Sequence, residues 1–313
     1  MRRIARIAVP ILAIVIAAAA VGAVLLLGSP SIPERSDYQL DIATLRQMAD
    51  QPEGVRPVTL NAAIVAEAAV PAAFFLGGLR FDRLQVVFPA YQVLYPDGMV
   101  IIDAPPGAKF FEEQFPGGFN EAQYQAVQQA LTRSRAIVIT HEHADHLGGI
   151  AQSPQLESFA DHLKLTREQQ DDHKWLDEAG FPEAVRAKLR PIEFDHYYAL
   201  APGVVLVKAP GHTPGSQLIY VRLKDNSEYL IIGDVAWHMD QVSTPHCRPR
   251  LAQLMMGENA AQVTAELRTL HDFASANPSV HFVVSHDSKQ LADYQNAGLI
   301  GRGFSAASEH SGP

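Results

Sequence analysis

The chain has 313 residues, 47 % of them hydrophobic, enough to bury the core of one large α/β domain or two small ones. Its 34 acidic and 25 basic side chains leave a formal charge of -9, which offers no basic field to a phosphate backbone; nucleic acid is not expected as a partner and a small-molecule substrate is. The single cysteine, Cys247, excludes an intramolecular disulfide and any multi-cysteine metal site, so a metal would have to be held by histidine and carboxylate.

At the N-terminus, Arg2, Arg3 and Arg6 precede an almost uninterrupted apolar run from Ile7 to Leu27, long enough to span a bilayer. Positive charge on the near side predicts that this end stays in the cytoplasm and that the remainder is exported. Residues 1–28 therefore read as a transmembrane signal anchor in a bacterial-type inner membrane, with the catalytic part extracytoplasmic, in the periplasm. Small residues at Ala18, Ala19, Ala20 and Ala23 leave open a cleaved signal peptide, which would make the product periplasmic or secreted.

Residues 29–58, with several prolines and one short helical pattern at Asp41 to Met48, read as a stalk or connector, and 59–313 as the folded domain. Leu60 to Leu79 is apolar but interrupted by Glu67 and Pro71, which predicts core strands or a short helix rather than a second span. Tyr91 to Tyr95 and Met99 to Asp103 flank Pro96-Asp97-Gly98, a hairpin signature. Helical periodicity over Glu121 to Ser134 precedes a β-branched run at Ala136 to Thr140. The polar segment Leu165 to Leu189, broken at Gly180 and Phe181-Pro182, is expected to cap a cleft as an insertion. Strands are predicted at Val204 to Lys208, Leu218 to Leu223, Tyr229 to Ile232 and His281 to Ser285, and a helix at Ala260 to Ala274. Such a mixture implies helices covering sheet faces.

The chemistry concentrates at strand ends. Thr140-His141-Glu142-His143-Ala144-Asp145-His146-Leu147-Gly148-Gly149 places three histidines and an aspartate within six residues, directly after a strand. Imidazole and carboxylate are the donors that suit zinc and similar divalent ions, and the two glycines permit a tight backbone. Pro210-Gly211-His212-Thr213-Pro214-Gly215-Ser216 follows a second strand, Ile231-Ile232-Gly233-Asp234 ends a third, and Val283-Val284-Ser285-His286-Asp287 ends a fourth. The first string is hard to explain as packing, whereas each of the other three alone would be an ordinary loop. Four strand ends delivering metal-ligand types point to one cleft at the edge of a sheet.

In this order, H-x-H-x-D-H followed by a distant His, an Asp and a His, the chain resembles the metallo-β-lactamase superfamily over roughly Ala90 to Asp287, with all seven ligand positions filled. The resemblance implies an αββα sandwich, two mixed sheets between helical layers, holding two divalent metal ions, zinc foremost. His141, His143 and His212 would hold the first ion, Asp145, His146 and His286 the second, and Asp234 would bridge them. Asp103 matches the early strand-end aspartate that supports the ligand loop. The implied reaction is hydrolysis of an ester, lactone or related small-molecule bond by a hydroxide bridging the ions, with Asp145 orienting it and passing a proton to the leaving group. A bridging Asp234 favours the lactonase, thioesterase and phosphodiesterase branches over the true β-lactamases. Trp237 stands where lactonase-like members often carry a tyrosine, and tryptophan has no phenolic proton to give. Trp237 and His238, just past Asp234, are candidates to line the substrate pocket. Two other classes stay open: an iron-dependent sulfur dioxygenase-type oxidoreductase, because this ligand string does not set the metal, and a non-catalytic binding module, against which the full ligand set argues.

Overall fold

The computed structural model describes residues 20–78, 80–115 and 117–305. One sheet contains β1 (Thr59–Pro71), β2 (Arg83–Tyr95), β3 (Gly98–Ile102), β4 (Gly118–Phe119), β5 (Ala136–Val138) and β11 (Gly301–Arg302). Its main path runs β11-β1-β2-β3-β5, with β4 paired to β1. The second contains β6 (Tyr197–Ala201), β7 (Val204–Lys208), β8 (Gln217–Arg222), β9 (Glu228–Ile231) and β10 (Val280–Val283), ordered β10-β9-β8-β7-β6. Both sheets are mixed: β3 with β5, β1 with β11 and β9 with β10 are parallel, and the remaining pairs antiparallel.

Side-chain alternation along the strands builds the layers. Tyr91, Val93 and Tyr95 of β2 meet Val204 and Leu206 of β7 and Ile219 and Val221 of β8 between the sheets. The alternate residues Phe88, Ala90 and Leu94 face outward onto Val127 and Leu131 of the helix Glu121–Arg133 and Leu147 of the helix Ala144–Ala151. On the far side Val205, Val207, Leu218 and Tyr220 pack against Val263, Leu267 and Leu270 of the helix Ala260–Ala276. Helices outside and two sheets inside give the αββα arrangement.

The stretch expected as a stalk or connector packs onto the domain. Leu45 and Ala49 of the helix Ile42–Ala49 are fully buried in the outer core of the second sheet, the Tyr38 hydroxyl donates to the Lys208 carbonyl at 2.9 Å, and Arg46 makes a two-pronged 2.7 Å contact with Glu228. The short amphipathic pattern was visible in the sequence; the sheet face it covers was not. No helix among the described residues is long and apolar enough to cross a membrane. Most of the apolar run Ile7 to Leu27 lies outside the described residues, of which 20–27 are helical.

Candidate metal centre

Parallel pairing brings the ligand-bearing strand ends together. β3 and β5 run side by side, so Asp103 and Thr140-His141 emerge at one edge; β9 and β10 do the same for Asp234 and His286. The β7–β8 turn adds His212. His143 precedes the helix Ala144–Ala151, whose first turn carries Asp145 and His146, with Asp145 where the helix dipole favours a negative charge. Gly233 is indispensable here: its φ is 53°, and a Cβ would stand 2.9 Å from the Thr140 Cβ.

The structure gathers His141, His143, His212 and Asp234 into one group of candidate ligand atoms, and His146, Asp234 and His286 into a second; His141, Asp145 and His146 form a third overlapping set. His143 Nδ1 lies 3.1 Å from His141 Nε2 and 3.0 Å from His212 Nε2. Asp234 Oδ2 stands 3.8 Å from His141 Nε2, 3.6 Å from His212 Nε2 and 3.3 Å from His286 Nε2, while its Oδ1 is 3.4 Å from His146 Nε2. Asp145 Oδ2 is 3.4 Å from His146 Nε2 and 3.6 Å from His286 Nε2. Asp234 therefore belongs to both groups. His146 Nε2 and Asp234 Oδ1 are buried without a hydrogen-bond partner, which is costly for such atoms unless a cation sits between them. Imidazole and carboxylate lone pairs converging on shared points, with His146 Nε2 and Asp234 Oδ1 left without a donor, fit divalent metal.

Four of the five imidazoles are held from behind, which fixes the nitrogen each turns to the centre; His143, whose Nε2 is buried without a partner, is the exception. His141 Nδ1 lies 3.1 Å from Thr140 Oγ1, His146 Nδ1 lies 2.9 Å from Asp103 Oδ2, His286 Nδ1 lies 2.9 Å from the Val87 carbonyl, and His212 Nδ1 lies 2.5 Å from Glu258 Oε1. Glu258 also pairs with Arg248 at 2.9 Å, and Arg248 donates to the Val235 carbonyl at 2.8 Å and spreads its guanidinium 4.2 Å from the Trp237 ring centre. The side chains of His212, Glu258 and Arg248 are all fully buried. Glu258→Gln is expected to weaken metal binding by about 10- to 100-fold through a misoriented His212. Competition with a chromogenic chelator checks this, and unchanged affinity would show that the carboxylate does not govern the ring.

Residues 115–277, just over half of the chain, match the family model described as metallo-beta-lactamase superfamily. The chain belongs to that superfamily. Among solved structures it is similar to a quorum-quenching N-acyl homoserine lactone lactonase, 14 % identical with a TM-score of 0.60, over 76 % of this chain and 95 % of that one. It is also similar to a probable metal-dependent hydrolase from Staphylococcus aureus, 12 % identical with a TM-score of 0.56, over 75 % and 91 % of the two chains. A dizinc quorum-quenching lactonase in complex with a product is 14 % identical with a TM-score of 0.53, over 76 % and 92 %. At these identities the likeness concerns the fold. Among curated proteins, 78 residues are 37 % identical to Ribonuclease J 1 of Streptococcus pyogenes serotype M3, a stretch amounting to 25 % of this chain and only 13 % of that protein.

Electrostatics in this superfamily member match the donor chemistry. Burial, reinforced by neighbouring imidazoles, holds His141 and His143 well below the usual histidine range, so both are neutral and able to ligate. Burial opposes charge on His146 too, yet Asp145, Asp234 and Asp103 overcome it and raise that imidazole. The three carboxylates thus favour positive charge at this point, which a cation would supply. Further out, burial pushes Glu142 up to about 7 and Glu266 up to about 8. Glu142 accepts from the Gly215 N–H at 2.8 Å and from the Thr213 hydroxyl, tying the first ligand loop to the second. Glu266 accepts from the Gly211 N–H at 3.0 Å.

Glu266 also makes a pH prediction. Its folded-state value of about 8 stands above the ordinary 4.5, so between those limits the folded chain holds a proton that the unfolded chain has lost. Stability must therefore fall as pH rises through that window. Glu266→Gln, which keeps an acceptor for Gly211, is expected to flatten the decline in melting temperature measured from pH 5 to pH 9. Identical slopes would reject the assignment.

Over the ligands lies a cavity of about 170 Å³ walled by Phe74, Phe75, Phe88, Phe110, Phe115 and Met256 and floored by Asp145, Asp234 and His286. Trp237 lines it, and its Nε1–H donates to Asp234 Oδ2 at 2.7 Å. His238 does not share that wall: its Nε2 stands 3.5 Å from Asp287 and its Nδ1 accepts from the Asp240 N–H, which draws the ring away from the cavity. From the segment Leu165 to Leu189, Glu178 lines the cavity and Trp175 sets its ring 4.1 Å from that of His143. Sequence reasoning missed Glu142, Arg248, Glu258 and the phenylalanine wall. Glu142 sits inside the motif itself and could have been weighed. Arg248 and Glu258 lie in the loops on either side of the helix Arg250–Met256, and the phenylalanines come from residues 74–75, β2 and residues 110–115, none with a local signature.

Proposed function

We propose that the chain is a dinuclear metal-dependent hydrolase acting on an ester, lactone or related bond of a small molecule that carries an apolar substituent. One observation carries this reading: Asp234 is shared by two ligand groups at the floor of a cleft whose upper walls are phenylalanine. His141, His143 and His212 would hold one ion, Asp145, His146 and His286 the other, and Asp234 both, with zinc the ion this donor set suits. When bound, such ions supply Lewis acidity and lower the pKa of water. The chain's own residues do the rest. The aromatic walls exclude bulk water and seat the apolar part of the substrate. Although burial opposes it, His146 and His286 keep the Asp145 carboxyl below its usual range, so at neutral pH it is ionised, and with Oδ2 turned to those two imidazoles its other oxygen would be left to take up a proton and return it to the leaving group. Trp237 cannot serve as that donor, because its N–H is committed to Asp234.

The test is metal quantification on purified protein followed by a panel of lactone, ester, thioester, β-lactam and phosphodiester substrates. Two equivalents of divalent metal with turnover of lactones or esters are expected. The 78-residue likeness to Ribonuclease J 1 keeps phosphoester cleavage in the panel, although a net charge of -9 suits no polyanion. Iron with oxygen consumption on a persulfide would replace the hydrolase by the oxidoreductase. An inner-membrane anchor with the catalytic domain in the periplasm is part of the same proposal, supported by Arg2, Arg3, Arg6 and the apolar run that follows them.

A further inference from the structure

We infer that the face around the cleft mouth docks onto the lipid bilayer, with Phe81, Leu254 and Met255 as the inserting side chains. These are among the most exposed large apolar residues described, at 97 %, 71 % and 57 %. They belong to the two segments that wall the cleft. Leu254 and Met255 precede the cavity residue Met256 on the helix Arg250–Met256, which packs against the helix Ala72–Leu76 that carries Phe74 and Phe75. Phe81 follows that second helix by a few residues.

What selects a bilayer as the occupant is where the N-terminal apolar run ends. The Leu27 carbonyl accepts from the Gly78 N–H at 3.1 Å, and the Gly28 carbonyl accepts from the Arg250 backbone N–H at 3.1 Å and its guanidinium at 3.2 Å. A segment of membrane-spanning length and composition is thus hydrogen-bonded, at its last residues, to both elements that display the exposed apolar side chains. Val21, Val24 and Leu25 continue the same apolar character, each more than half exposed. Exposed apolar side chains gathered on joined segments in this way mark an interaction site, and an interfacial one needs burial only to the headgroup and upper acyl level. Arg80, Arg83 and Arg250 lie in the same segments, with Asp82 paired to Arg80, so a local cationic contribution accompanies the apolar one in a chain whose overall charge is negative. Such seating turns the mouth of the cleft toward the lipid.

The single native thiol, Cys247, is buried, so one introduced cysteine at a time can be labelled selectively. The full chain, reconstituted in phosphatidylcholine–phosphatidylglycerol vesicles containing doxyl-labelled lipid, would carry a bimane at Phe81→Cys, Leu254→Cys or Asp225→Cys. Asp225 lies in the β8–β9 turn, at the strand ends opposite the ligands. Strong quenching at 81 and 254 with none at 225 is the expected result. Equal quenching at all sites, quenching at only one of 81 and 254, or none at either overturns the proposal, the last being also what a second copy of the chain or a folded-back N-terminus over this face would give. Because quenching requires no turnover, failure here leaves the proposed hydrolysis untouched, and failure of hydrolysis leaves the docking result intact.

Discussion

Asp234→Asn is expected to lose divalent metal and, with it, about 100-fold or more of the hydrolytic rate, beyond the upper end of what a supporting partner of a ligand costs. The carboxylate faces His141, His146, His212 and His286 at 3.3 to 3.8 Å, and it is the member common to both ligand groups. Burial by itself disfavours its charge, but the surrounding imidazoles, His286 foremost, hold the carboxyl well below its ordinary range. An amide of the same shape keeps the packing and removes the negative charge that would offset the repulsion of two cations. Metal per chain by mass spectrometry and initial rates at saturating metal read the two effects separately. A variant that kept two equivalents and the parent rate would show that Asp234 is not shared between ions.

Asp103 is expected to separate stability from metal affinity according to what replaces it. It sits at a φ of 59°, in the left-handed region, with its side chain buried. Its Oδ1 accepts from the Thr140 N–H at 2.6 Å, and its Oδ2 accepts from the Thr140 hydroxyl at 2.8 Å and lies 2.9 Å from His146 Nδ1. Asp103→Ala forces alanine into a conformation that costs roughly 1–2 kcal/mol, and each buried donor left without an acceptor adds about 1–3 kcal/mol. A loss of at least about 3 kcal/mol would lower the melting temperature by roughly 6–12 °C in a domain of this size. Asp103→Asn tolerates the left-handed backbone and should melt close to the parent. Its amide, however, can donate to His146 Nδ1, which places the ring proton on Nε2, the atom turned toward the centre. Metal affinity should then fall by about 10- to 100-fold with the fold intact. Equal melting of the alanine variant and the parent, or undiminished affinity in the asparagine variant, would contradict this account.

Much of the architecture could be read locally. Val204 to Lys208 was legible as a strand because both of its faces are buried, giving a valine-rich apolar run over Val204 to Val207 with a glycine turn on one side and Pro210-Gly211 on the other. Glu121 to Ser134 was legible as a helix because one face is apolar and the other polar, and Asn120 caps it by accepting from the Gln123 N–H. The connector reading of residues 29–58 failed for the complementary reason. Leu45 and Ala49 are too few to announce a core helix, and only the opposing sheet face shows that they are buried.

The sequence by itself determined which donors this protein owns and in what order they leave its strands: His141, His143, Asp145, His146, His212, Asp234 and His286 all follow closely on apolar strand-like runs. Only the tertiary structure decided that Asp234 lies in both ligand groups, that Glu258 and Arg248 stand behind His212, and that five phenylalanines from three segments close over them. The reason is physical. Residue type and local period fix what a side chain can do and which way it points from its own element, whereas the distances that turn lone pairs into a cation site, and burial into a charge that must be paired, arise from segments more than a hundred residues apart meeting at one sheet edge.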